Sequence, residues 1–339
     1  MTRLAIWGAE SLLGRELKGT LAGRRDLWDD LRLLGPQSDS STVSEIGDEA
    51  TLILPGTEEN LSDVDLLFYC TEPGEAVDIP TGLPERARTI VVSGDQPPDE
   101  YPALVAGVNS EDAASAGRPV TLSSAHPAVV ALAHLLEPLF ALGLQSCEAS
   151  VVLPSSIRGQ EGVDELLAQT RSILAFEPRP VSSIFGHQLA FNIVPSSYSG
   201  ERIARAVHEV LGRDPFRVAV QASVGGVFHS LLVGVHVGLS SSTDKAAVRK
   251  ALDTSSIIEF SKHPETLSPI DAAGSSSLHL GVIEPSGSPS NEPGRFWLRA
   301  VMDNLTTGGA LNAIGIAEAV LGAGGAKEAR GTSADSYTR

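Results

Sequence analysis

The run Leu4-Ala5-Ile6-Trp7, then Gly8-Ala9-Glu10-Ser11-Leu12-Leu13-Gly14, then residues 15 to 21 with apolar side chains at helical spacing, is the strongest constraint on the fold. It reads as strand, glycine turn and helix, the opening unit of a parallel α/β sheet. Such a turn lets backbone N–H groups approach a pyrophosphate, and the helix N-terminus adds partial positive charge. Gly8, Ala9, Glu10, Ser11, Leu12, Leu13 and Gly14 are therefore candidate nucleotide-binding residues. The fingerprint is incomplete, because Ser11 stands where a second glycine would ease close approach. An ordinary tight turn between strand and helix is the competing reading.

Short apolar strands follow at Leu31 to Leu34, Thr51 to Leu54, Asp65 to Tyr69 and Thr89 to Ser93, separated by polar or Gly/Pro-rich turns. This alternation predicts a doubly wound parallel sheet. The second strand ends at Gly35-Pro36-Gln37-Ser38, with no acidic residue for a ribose 2′-hydroxyl and no arginine for a 2′-phosphate. The choice between NAD and NADP stays open. Ser123-Ser124-Ala125-His126-Pro127 then leads into an apolar run that predicts a buried helix over 127 to 142. Beyond it come valine-rich strands at Cys147 to Leu153, Val218 to Ala222 and Ser230 to Leu239, with helical spacing at Glu161 to Leu174 and Glu201 to Leu211. That half predicts an α+β domain around a mixed sheet. Glu284 to Arg295 reads as a surface loop, and Gly322 to Arg339 as a frayed tail.

With 339 residues the chain can bury two cores. Its 42 acidic against 25 basic residues, a net charge of -17, disfavour nucleic acid and anionic membranes as partners. Cys70 and Cys147 sit among apolar residues and read as buried free thiols, which fits a reducing cytoplasm. The N-terminus lacks the pattern of a signal peptide, and the longest uncharged run, Pro119 to Leu136, makes a poor membrane span. His187, His236 and His279 have no carboxylate or cysteine at ligand spacing, so no metal site is expected.

Three collinear stretches carry a resemblance to a known family. GAESLLG at 8 to 14 is similar to a GATGxVG turn, and Phe185 to Pro195 (FGHQLAFNIVP) matches an aromatic-x-x-x-IAFN-x-x-P segment. Asp303 to Ala313 with Ile316-Ala317-Glu318 looks like DNLRKGAALNAxxIAE. Together they resemble the aspartate-semialdehyde dehydrogenase family, and within it the cysteine-less USG-1-type branch. The resemblance implies a Rossmann-like NAD(P)-binding domain over 1–125 plus 305–325, an inserted dimerisation domain over 126–304, and a tail over 326–339. It implies a homodimer formed through the second domain. It further implies NADP or NAD as cofactor, with Ser38, Asn304 and Gly308 joining residues 8 to 14 around it. Family enzymes interconvert β-aspartyl phosphate and aspartate semialdehyde through a thioester on cysteine, on the route to lysine, threonine and methionine.

Several positions depart from that family. Pro127 falls on the nucleophile position; proline suits the first turn of a helix but offers no nucleophile. Val152 replaces the glutamine that follows the family's Ser-Tyr pair, and Ala222 stands where a carboxylate-binding arginine is expected, with neighbours Gln221 and Ser223 no more basic. His229 resembles the family's base and reads equally as a packed histidine. Ser123 or Ser124 beside His126, or Ser155 or Ser156, could supply a substitute nucleophile, though serines at helix starts are commonly caps. The expectation is a family member that has lost the parent reaction and keeps a nucleotide-binding or structural role. The alternative is an active oxidoreductase on another aldehyde or acyl substrate.

Overall fold

The computed structural model describes residues 1–36, 42–70, 72–95, 97, 99–111, 120–178, 182–213, 216–240, 242–286 and 293–331. The first sheet contains β1 (Arg3–Trp7), β2 (Asp30–Gly35), β3 (Val43–Ile46), β4 (Glu49–Pro55), β5 (Leu66–Cys70), β6 (Arg88–Val92), β7 (Ala103–Leu104) and β8 (Val120–Ser124). Their order is β3-β4-β2-β1-β5-β6-β8-β7. Every pairing is parallel except β3 with β4. Because β2 and β5 flank β1 on opposite sides, the strand order reverses at β1, and a crevice opens beyond its carboxyl end. The glycine turn lies there.

Helix α1 (Leu12–Ala22) begins because Ser11 caps it, its hydroxyl accepting the Gly14 N–H at 3.0 Å. Leu13, Leu17 and Leu21, four residues apart, lie on one face and are buried in the first core. A short helix α2 (Glu58–Leu61) follows β4.

Helix α3 (Pro127–Leu136) leads into the second half of the molecule, and its apolar side chains pack with the second core. It is shorter than the 127 to 142 expected from the sequence, continuing as a 3₁₀ turn over Glu137–Leu142. Pro138 is the physical reason: it has no N–H to donate and its ring clashes with the preceding turn. The second sheet is built from β9 (Ser146–Leu153), β10 (Ile193–Pro195), β11 (Arg217–Gly225), β12 (Leu231–Gly238), β13 (Ile258–Phe260), β14 (Leu278–Pro285) and β15 (Arg295–Met302). Their order is β10-β11-β9-β12-β15-β14-β13, with β9–β11 and β13–β14 parallel and the other pairs antiparallel. The segment expected as a surface loop over 284 to 295 includes the ends of β14 and β15.

Helices α4 (Gly159–Leu174) and α5 (Gly200–Leu211) occupy the two stretches with helical spacing, and α6 (Lys245–Leu252) follows β12. Helix α7 (Asn312–Gly331) returns to the first sheet, where Ala313, Ile314, Ile316, Ala317 and Val320 join its core. It runs to Gly331, beyond the expected start of the tail, because alanines offset the helix-weakening glycines; residues 332–339 lie outside the described residues.

The Phe185 to Pro195 segment is held from α4. Glu165 accepts the N–H groups of Ser183 (2.9 Å) and Ile184 (2.8 Å), and buried Gln169 accepts those of Leu189 (2.7 Å) and Ala190 (3.0 Å). Replacing Gln169 by leucine leaves two buried donors unpaired, and about 2–4 kcal/mol of stability is expected to be lost. Urea denaturation would show it as a lowered midpoint with an unchanged slope.

Candidate functional site

The glycine turn has the backbone its sequence calls for. Gly8 sits at φ +73°, where a Cβ would lie 2.5 Å from the Cys70 carbonyl, and a Cβ on Gly14 would lie 2.1 Å from the Gly8 carbonyl. Glu10 turns away toward β3: Lys18 donates to its carboxylate at 3.0 Å and the Ser44 hydroxyl at 2.6 Å. Burial opposes ionisation of Glu10, but hydrogen bonds from Ser44 and Lys18 outweigh it and hold the carboxyl below its ordinary range. Ser38 lies outside the described residues.

Opposite the turn stands the segment from Ser156 to Gly159, and the two halves of the molecule close on each other. The gap between them, lined by Ser11, Leu12, Leu13, Glu72, Ile157 and Gly159 among others, measures about 10 Å³, the lower limit for a single water. A Cβ on Gly94 would lie 3.2 Å from the Ile157 carbonyl. The one acidic side chain in the gap, Glu72, is pushed above the ordinary carboxylate range by burial and by nearby Glu75 and Glu161. The two arginines nearby are engaged: Arg15 donates to Gln160 at 2.7 Å, and Arg158 pairs with Asp95, which is 1% exposed. In this arrangement the residues do not fit the diphosphate of a dinucleotide, which needs space and free donors.

Pro127 is the first residue of α3, and the donors of that turn are consumed locally. The His126 Nδ1 accepts the Ala128 N–H at 3.0 Å, while the His126 carbonyl accepts those of Val129 (2.7 Å) and Val130 (3.1 Å). A thiolate at such a position would draw on the helix N-terminus; proline carries no such group, and the amides are engaged. His126 is fully buried and stacks on Tyr198 at 4.6 Å between ring centroids. Burial, reinforced by Arg202, pushes it down to about 3, so it is neutral near pH 7. The Ser124 hydroxyl accepts from the Asn312 amide at 2.9 Å, and that of Ser123 points to the Ser124 carbonyl at 3.4 Å; neither bonds His126. Cys70 and Cys147 are no substitute, since burial pushes both thiols up to about 12.

The closing motif joins the two halves. Asp303 accepts the N–H groups of Leu305 (2.8 Å), Thr306 (2.9 Å) and Gly274 (2.8 Å). These bonds precede a π-helical turn over Thr306–Leu311. Asn304, 1% exposed, accepts the Ser230 N–H at 3.0 Å and donates to the Ser156 hydroxyl at 3.1 Å. Both its oxygen and its nitrogen are engaged within the second half. Gly308 packs on Pro127, where a Cβ would approach to 2.8 Å. Asn312 ties α7 to the Ala106 N–H at 2.8 Å as well as to Ser124.

His229 is half-buried, and its Nδ1 has no hydrogen-bond partner. Ser155 and Ser156 run beside it, donating their N–H groups to the carbonyls of Val227 (2.8 Å) and Phe228 (3.1 Å). The Ser155 and Ser230 hydroxyls are buried without partners, and Ser230 has a left-handed backbone at φ 69°. Val152 pairs between Ser223 and Leu232 in the second sheet, and Ala222 packs on its core. His236 does meet a carboxylate, Glu148 at 3.1 Å, but across strands β12 and β9, where sequence spacing could not show it. Among the described residues no three His, Cys, Asp or Glu side chains converge on a metal site, and no helix is long and apolar enough to cross a membrane.

No protein-family model matches the chain. It is 27% identical to a USG-1 protein homolog of Pseudomonas aeruginosa and 29% identical to one of Azotobacter vinelandii, each match covering 94% of this chain and 97% of the relative. An aspartate-semialdehyde dehydrogenase of Rickettsia bellii is 24% identical over the same shares. The structure of a probable aspartate-semialdehyde dehydrogenase from Pseudomonas aeruginosa superposes with a TM-score of 0.83 at 26% identity, covering 94% of this chain and 98% of that one. The likeness to aspartate-semialdehyde dehydrogenases and USG-1 protein homologs runs along nearly the whole chain. A Vibrio cholerae aspartate semialdehyde dehydrogenase II shares the fold at 19% identity, with a TM-score of 0.79 over 95% and 98% of the two chains. Glu72, Asp95, Arg158 and Ser230 carry no signal in the sequence, because they lie in loops or a single 3₁₀ turn that only the folded structure brings together.

Proposed function

We propose that this family member does not perform the thioester reaction and acts as a structural or nucleotide-binding homologue. The observation that carries this reading is the first turn of α3, where Pro127 packs on Gly308 and the turn's amides are engaged by His126. Val152 and Ala222 remove the polar group and the basic clamp that the resemblance implies. Under this reading, NADP or NAD is the ligand class of the first domain (1–125 with 305–325), and the second domain (126–304) pairs two copies. The open face of the second sheet, with a hollow of about 420 Å³ beside Leu232, Val282 and Trp297, supports such pairing.

The test is turnover of aspartate semialdehyde with phosphate and NADP by the purified protein, beside an active family enzyme. The expected rate equals the no-protein blank. Pro127→Cys is expected to stay at the blank too, because a nucleophile alone restores neither clamp nor free amides. Turnover by the unmodified protein would overturn the reading.

A second reading, an oxidoreductase on another aldehyde or acyl substrate, draws on one observation: the partnerless Ser155 hydroxyl lies on the segment that runs beside His229. Activity on any such substrate that vanishes in Ser155→Ala would favour it.

A further inference from the structure

We propose that the pair of buried Asp95 with half-buried Arg158 is a latch that holds the two halves shut across the glycine turn, so that a dinucleotide enters only when the pair is released. Asp95 follows β6 in the first half, while Arg158 and Ser197 belong to the second. The Asp95 carboxylate accepts from Arg158 and, at 3.2 Å, from the Ser197 hydroxyl, so one buried acid grips two segments of the opposite half. Buried charge of this kind is stable only while its partners stay in place, which makes closure of the halves and pairing of Asp95 one event.

Other contacts surround the latch without replacing it. Arg202 reaches Asp99 at 2.9 Å and Arg15 reaches Gln160 at 2.7 Å, but Asp99 and Arg15 are exposed, so water can substitute for either partner. Immediately beside Asp95, Gly94 lies against Ile157, and Gly159 lies against Glu72, where a Cβ would come within 2.8 Å of the carboxylate. Arg158 sits between Ile157 and Gly159 in sequence, so the residues that fill the gap are the direct neighbours of the residues that form the pair. Freeing Asp95 therefore frees the wall facing Ser11, Leu12 and Leu13.

This inference rests on the nucleotide-binding part of the function proposed above, not on the loss of thioester chemistry, and its readout is binding rather than turnover. The experiment titrates NADPH into the full-length protein, into Asp95→Asn and into Arg158→Lys, following NADPH fluorescence. Hydrogen exchange of residues 8–14 and 155–160 is measured in the same three proteins without nucleotide. Asp95→Asn is expected to bind NADPH at least tenfold more tightly than the unmodified protein and to exchange both segments faster; Arg158→Lys, which keeps the charge, should stay close to the unmodified protein. Thermal unfolding of each variant checks that it is folded. Equal exchange in the unmodified protein and Asp95→Asn, or no gain in NADPH binding by Asp95→Asn, overturns the latch.

Discussion

Lowering the pH from 7 to 4.5 is expected to remove about 5 kcal/mol of folding stability through two buried histidines. In the unfolded chain both imidazoles titrate near 6.5. Folded, His126 is pushed down to about 3 by burial with Arg202 adding to the effect, and His134 to about 4 by burial, a hydrogen bond with the Ala106 backbone acting the other way. Below pH 6.5 the unfolded chain therefore takes up protons that the folded chain refuses. Stability falls with falling pH until the folded values are reached, and at pH 4.5 each histidine accounts for about 2–3 kcal/mol. Urea denaturation at the two pH values measures the loss. His134→Gln should recover roughly 2 kcal/mol of it, and an unchanged pH dependence in that variant would refute the assignment.

Gly14→Ala is expected to cost more than about 3 kcal/mol. The added methyl would lie 2.1 Å from the Gly8 carbonyl and 2.9 Å from the Ala9 Cα. Both are backbone atoms of the turn, so no side-chain rotation relieves the clash, and β1, the turn and α1 must separate. Gly19→Ala, in the same helix, meets nothing within 4 Å. It should stabilise by roughly 0.5–1 kcal/mol, since alanine loses less entropy in a helix. Thermal unfolding of the two variants in parallel tests the contrast; similar shifts in both would show that close approach at Gly14 is not what holds the turn.

Much of the first sheet was legible, because β1, β2, β5 and β6 are buried runs whose apolar character survives without knowledge of their neighbours. The second sheet was only partly so. Strands β14 and β15 carry His279, Glu284, Arg295 and Arg299 among their apolar residues, since one face of that sheet stays open, and such a strand has no continuous run to mark it. Ser11 was read as a defect in a glycine fingerprint, whereas its hydroxyl is the cap that starts α1. His126, named in the sequence as a neighbour of candidate serines, is the cap of α3 through its ring nitrogen, an unusual capping side chain that pattern alone does not suggest.

The sequence by itself carried the family resemblance, the strand–turn–helix opening and the absence of a nucleophile at Pro127, because each depends on residue identity along a contiguous stretch. Tertiary structure alone decided what the retained motif residues do. Asn304, a candidate site residue, and Asn312, a letter of the same motif, have amides that bond Ser156 and Ser230 in one case and Ala106 and Ser124 in the other. It also decided that the glycine turn faces Ser156, Ile157 and Gly159 of the second half, beside the Asp95–Arg158 pair. A buried polar group takes its role from the partners that satisfy it, and those partners lie up to 208 residues away along the chain, beyond the reach of any local pattern.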